Sequence, residues 1–81
     1  MEAVDQIEIR FFGRLADSFG RSQTLACGAH GMTVAVIREQ LGRDLADHRR
    51  VRAVVADRLV GEEERIAPGG SVEFLPPLSG G

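Results

Sequence analysis

The chain closes on Ser79-Gly80-Gly81 behind a Pro76-Pro77 pair, and the group there able to do covalent chemistry is the terminal carboxylate of Gly81. In water a carboxylate is anionic and resonance-stabilised, hence a poor electrophile, and it becomes transferable once one oxygen is made a good leaving group. Residues without a Cβ take dihedrals closed to others and let a backbone approach a partner closely, so a Gly-Gly end can thread a narrow channel. Ordering such a tail costs conformational entropy, and two prolines at its root reduce that cost by stiffening it. Gly81 is therefore the candidate reacting residue, with Ser79 and Gly80 as its flexible lead.

Other reactive side chains offer less. Cys27 could carry a persulfide, but nothing adjacent in sequence is basic enough to favour the thiolate, and a small core residue is the simpler expectation. His30 and His48 stand alone among polar residues and glycines, without a cysteine or second histidine at metal-ligand spacing, so neither a metal site nor a catalytic base is expected. Arg49, Arg50 and Arg52 could attract an acidic loop or a phosphate; a solvated loop is the reading preferred. Glu62, Glu63 and Glu64, consecutive in an extended segment, point in alternating directions and cannot all converge on a cation, so they are assigned to the surface.

A chain of 81 residues has room for one compact core and little scope for an enclosed active-site cavity. With 43% apolar and 27% charged residues, it has the balance of a folded soluble domain. A net charge of -2 leaves no excess of cations for nucleic acid or anionic lipid. All ten basic residues are arginine, so no side-chain amine could accept the C-terminus in an isopeptide bond, and polymeric chains are not expected. A lone cysteine, no secretory layout in MEAVDQIEIR and no long apolar run make the cytoplasm the expected compartment, with no membrane partner.

These residues need elements to present them. Gln6 to Phe12 alternates, with Ile7, Ile9 and Phe11 on one face and Glu8, Arg10 and Phe12 on the other, which predicts a half-buried strand. Leu15 and Phe19 before Gly20 predict a short helical turn, and Ser22 to Cys27 a second strand. Thr33 is a good N-cap for a main helix carrying Val34, Ile37 and Leu41 and stopping at Gly42; Arg43 to Arg50 reads as loop. Val51 to Ala56 predicts a buried strand, Asp57 a bend, and Leu59-Val60 a further short strand. Pro68-Gly69-Gly70 predicts a turn before a last strand from Val72 to Leu75, which Pro76 and Pro77 end. The expected architecture is α+β: a β-grasp domain over residues 1–75, with a mixed sheet, one main helix on one face and a projecting tail at 76–81.

Parity adds a candidate docking surface. If Ile7, Ile9 and Phe11 face the helix, Phe12 faces away, and if Val72 and Phe74 face inward, Leu75 faces away. In a β-grasp the first and last strands are parallel neighbours, so Phe12 and Leu75 should meet near the root of the tail, joined by Leu59, as an apolar patch.

The ending FLPPLSGG, Phe74 to Gly81, resembles that of the small subunit of molybdopterin synthase, in the MoaD branch of the ThiS/MoaD ubiquitin-like sulfur carriers. Those proteins close with an aromatic or apolar pair, two prolines, two further residues and Gly-Gly. The likeness extends to IEIRFFGRLADSFG, VRAVVADRLV and IAPGGSVEF, about two thirds of the chain, and departs from the family in the loops at Cys27–Met32 and Gly42–Arg50 and at Ala56.

The resemblance implies that a ubiquitin-activating-enzyme-like adenylyltransferase, using ATP and Mg, activates the carboxylate of Gly81. It further implies that a donor such as a cysteine desulfurase or rhodanese then supplies sulfur. The resulting thiocarboxylate attacks the pterin precursor in molybdenum cofactor biosynthesis, a form of covalent catalysis. On the same footing Pro76, Pro77, Leu78, Ser79, Gly80 and Gly81 enter a partner's active site, and Phe12, Leu59 and Leu75 bind the large subunit, expected as a heterotetramer, and the adenylating enzyme. The chain would bind no cofactor and hold no complete active site of its own. Carriers of the same chemistry serve thiamin thiazole, cysteine or transfer RNA thiolation, and related folds are joined to target lysines as protein modifiers; the Pro-Pro pair points to molybdopterin.

Overall fold

The computed structural model describes residues 5–42 and 51–76. Strand β1 (Gln6–Phe11) buries Ile7, Ile9 and Phe11 and leaves the intervening residues out, as its alternation predicts. Helix α1 (Arg14–Phe19) is a short turn whose Phe19 ring stacks on Phe11 at 4.8 Å between centroids, which supplies tertiary support for a segment too short to be stable alone. Strand β2 (Ser22–Ala26) returns antiparallel to β1, with Ile7 opposite Leu25.

The main helix α2 (Val34–Leu41) follows a two-residue strand β3 (Met32–Thr33). Thr33 is its N-cap, the side-chain oxygen accepting from the Val36 N–H at 3.3 Å. Two more of the N–H groups that a helix start leaves unpaired donate to a distant segment, Val34 to the Glu64 carbonyl at 2.9 Å and Ala35 to that of Glu62 at 3.1 Å. Val34 and Ile37 are fully buried against the sheet, and Gly42 ends the helix as its spacing predicts.

Strands β4 (Arg52–Val55) and β5 (Arg58–Val60) form a hairpin through Ala56 and Asp57, whose φ values of 51° and 67° are both left-handed. That pair matches the right-handed twist of the flanking strands. Strand β6 (Arg65–Ile66) pairs with β3 as a separate small sheet, which local periodicity does not anticipate. Gly31 makes this pairing possible, since any side chain there would run into the Ile66 carbonyl. Strand β7 (Ser71–Leu75) completes a five-stranded mixed sheet in the order β2-β1-β7-β4-β5, with β7 parallel to β1 and antiparallel to β4. Phe74, Ile7, Ile9, Ile37, Val34, Val51 and Val72 form the dry centre between sheet and helix. Two helices are present among the described residues, and α2 is the one that spans the core.

Candidate functional site

The last strand is central, between β1 and β4, so Pro76 at its end stands in the middle of the sheet. Phe74 lies opposite Phe11 on β1 and Ala53 on β4, and the Phe12 N–H donates to the Phe74 carbonyl at 3.2 Å, continuing the parallel register. Phe12 and Leu75 are thereby side-by-side neighbours on the face away from α2. Phe12 is 41% exposed and Leu59 65% exposed, and Leu75 is half-buried.

Leu59 does not touch that pair through direct pairing. It lies opposite Val54, which in turn lies opposite Glu73, one pleat away from Leu75. On that face Val54 stands beside Leu59 and diagonal to Leu75, while Arg52 lies directly beside Leu75 and Glu73 directly beside Val54, so Phe12–Leu75 and Val54–Leu59 are two apolar pairs with charged residues between them. Further charges border them: Arg10 and Glu8 pair at 3.5 Å on β1, and Glu73 sits beside Arg10 on β7. These side chains lie on the open side of the sheet, where single apolar residues are ordinary.

At the root of the tail, Pro76 follows Leu75 with its carbonyl accepting from Arg52 Nη2 at 3.2 Å. Arg52, grouped with Arg49 and Arg50 as solvated loop although it falls within the strand predicted over Val51 to Ala56, belongs to β4 opposite Leu75 and is half-buried. The correction has a simple cause, because one charged residue at the edge of an apolar run does not break a strand whose other partners are in place. Pro77, Leu78, Ser79, Gly80 and Gly81 lie outside the described residues, as do His48, Arg49 and Arg50.

The remaining candidates fall as follows. Cys27 is half-buried at the edge of the core, and its thiol is pushed up by desolvation and by the Asp5 carboxylate, away from nucleophile character. His30 is exposed and is engaged through its carbonyl by Arg65 at 3.1 Å. No group of three His, Cys, Asp or Glu among the described residues could hold a metal, and no helix among them is long and apolar enough to cross a membrane.

The acid run assigned to the surface does more than face solvent. Its backbone caps α2, and Glu62 Oε2 accepts from Arg38 Nε at 2.8 Å. Arg38 is the functional-looking side chain that sequence reading missed: buried on α2, it also donates to the Val51 carbonyl at 2.7 Å and lies 5.3 Å from the Phe74 ring centroid. Its signal was available, since Arg38 falls four residues after Val34 and so shares the apolar face of the helix.

A mixed sheet with parallel first and last strands adjacent at its centre, crossed on one face by a helix, defines a ubiquitin-like β-grasp protein. The solution structure of the HVO 2177 protein of Haloferax volcanii matches it with a TM-score of 0.75 at 23% identity, over 94% of this chain and 86% of that one. The crystal structure of SAMP1 from Haloferax volcanii matches with a TM-score of 0.72 at 21% identity, over 94% and 99%. A crystal structure described as small archaeal modifier protein 1 of H. volcanii gives 0.71 at 17% identity, over 90% and 98%. No curated protein matches the chain. The family model described as ThiS family matches residues 9–81, and the chain belongs to that family.

Proposed function

We propose that this chain is the sulfur-carrier subunit of molybdopterin synthase, with the carboxylate of Gly81 as the working group. The observation that carries the reading is the reach of the family match. The family match runs through residue 81, and the central strand β7 ends at Leu75, followed by Pro76, whose carbonyl is held by Arg52.

In the proposed cycle an adenylating partner, using ATP with Mg, joins the Gly81 carboxylate to AMP and releases pyrophosphate. A donor persulfide then attacks the acyl carbon and displaces AMP, and a thiol of the donor side attacks the resulting acyl disulfide, which forms a donor disulfide and releases the C-terminal thiocarboxylate. That sulfur attacks the pterin precursor, and the acyl group is returned to a carboxylate by water, so the carrier can be recharged. The folded body supplies a rigid base for the tail and the side chains of Phe12, Leu75 and Leu59 as the surface that docks the large subunit and the adenylating enzyme. Apolar anchors bordered by charge are suited to exchange between two partners.

Intact mass spectrometry after incubation with the adenylating enzyme, ATP and a sulfur source tests the reading. An exchange of one oxygen for sulfur at the C-terminus is expected, and restoration of molybdenum cofactor in cells lacking the small subunit separates this role from thiamin, cysteine or transfer RNA thiolation. Stable conjugates on a denaturing gel, lost when Gly81 is removed, would instead establish a protein modifier.

A further inference from the structure

The C-terminal segment has a built foundation at Pro76. Continuing the parallel register two residues beyond Phe11 and Phe74 sets Pro76 beside Gly13, and a Cβ on Gly13 would come within 2.8 Å of the Pro76 ring carbon Cγ. Gly13 also holds a φ of +61° with ψ of -138°, a conformation that side chains disfavour. The ring is thus accommodated on the β1 side by an absent side chain. On the β4 side Arg52 Nη2 donates to the Pro76 carbonyl, while Arg52 Nε is buried and finds no acceptor among the described residues. Arg52 thus spends a hydrogen bond on the backbone at the root of the tail, and no carboxylate pairs with it among the described residues.

We infer that Arg52 and Gly13 are positioning residues that clamp Pro76 from both sides and set the direction in which the C-terminal segment leaves the sheet. The inference rests on the carrier reading and adds a residue-level device to it. Because the clamp acts on the tail and the apolar residues of the sheet face act on the body, the two separate kinetically. Loss of those residues weakens docking and raises KM, whereas loss of the clamp leaves docking intact and lowers the fraction of docked complexes with the tail in the partner's channel, which lowers kcat.

The test uses the full chain with its adenylating enzyme. ATP–pyrophosphate exchange is followed against carrier concentration for the wild type, Arg52→Ala, Arg52→Lys and Pro76→Ala, and the Leu78 amide is followed by ¹⁵N relaxation in the free carrier. Arg52→Ala is expected to lower kcat about three- to ten-fold, the effect of one charge-assisted hydrogen bond at a half-buried site, with KM unchanged and Leu78 more mobile. Arg52→Lys, which retains a cationic donor, recovers part of both. Pro76→Ala, which keeps the carbonyl and removes the ring, reports the Gly13 side by loosening Leu78 at unchanged thermal stability. Wild-type kcat in Arg52→Ala overturns the clamp, and so does a fall in kcat with Leu78 order unchanged, since Arg52 would then be contacting the partner. If the wild type itself supports no exchange, the carrier reading fails, and the relaxation data alone uphold or overturn the clamp.

Discussion

Arg38 on α2 reaches across 24 residues of sequence to Glu62, its Nε donating to Oε2 at 2.8 Å, while its Nη2 holds the Val51 carbonyl at 2.7 Å. One side chain thereby ties the helix to the start of β4 and to the segment that caps its own N-terminus. The side chain of Arg38 is 11% exposed and that of Glu62 54%, so the two ends of the bridge are not equivalent. Replacing Arg38 by Ala abandons a buried carbonyl and a contact over Phe74, and is expected to lower stability by about 2–3 kcal/mol. Glu62→Gln keeps a hydrogen-bond acceptor at a solvated position and should lose under about 1 kcal/mol. Urea denaturation of both variants checks the order; equal losses would show that the ion pair, and not the Val51 bond, dominates.

The hairpin at Ala56 carries a stored penalty. A φ of 51° puts a Cβ-bearing residue in the left-handed region, where Asn and Gly are tolerated far better. Ala56→Asn is predicted to stabilise the domain by about 0.5–1 kcal/mol, read as a higher melting temperature with charging by the adenylating enzyme unaffected.

On the sheet face, Phe12 and Leu59 are exposed and contribute little to folding. Phe12→Ala should leave the melting temperature nearly unchanged and weaken binding to the adenylating enzyme about ten-fold or more, the effect expected of an aromatic anchor. Leu59→Ala, further from the tail, should do less. Isothermal titration with the purified partner decides; unaltered affinity in both would remove the sheet face as a docking surface.

Blocking the end of the chain separates reagent from scaffold. A carrier amidated at Gly81, or lacking it, is predicted to fold normally, bind the adenylating enzyme through the sheet face and accept no sulfur. Thiocarboxylate formation, or cofactor synthesis, by such a chain would contradict the assignment of Gly81.

Cys27 gives a pH dependence of known sign. Desolvation and the Asp5 carboxylate raise its thiol pKa in the folded protein, so the native state holds this proton to higher pH than the unfolded chain does. The associated stability is complete below the unfolded thiol's pKa and is lost as pH rises through the folded one. Iodoacetamide alkylation of native protein should therefore show its midpoint at higher pH than alkylation in denaturant; a lower native midpoint would indicate a nearby cation and a reactive thiol.

Much of this molecule was readable from local pattern. The alternation of Ile7, Ile9 and Phe11 and of Val72 and Phe74 assigned both central strands and their inward faces, because a period of two leaves no ambiguity when polar residues separate the apolar ones. Thr33 and Gly42 bounded the helix, because caps are chemical features of single residues. By contrast, the run Val51 to Val55 has no polar alternation, so its parity, and with it the place of Val54 beside Leu59 and diagonal to Leu75, emerged only when β4 was set against β7 and β5.

Tertiary structure alone decided the partners of Arg38, Arg52 and the Glu62–Glu64 carbonyls, and the pairing of β3 with β6. Each of these joins segments far apart in the chain, and a charged side chain or a two-residue strand carries no local mark of what it will meet. Sequence determines which groups exist and which way a strand or helix turns them. Only the packed chain determines which of them are withdrawn from water together, and desolvation is what turns an ordinary surface arginine into a structural or positioning one.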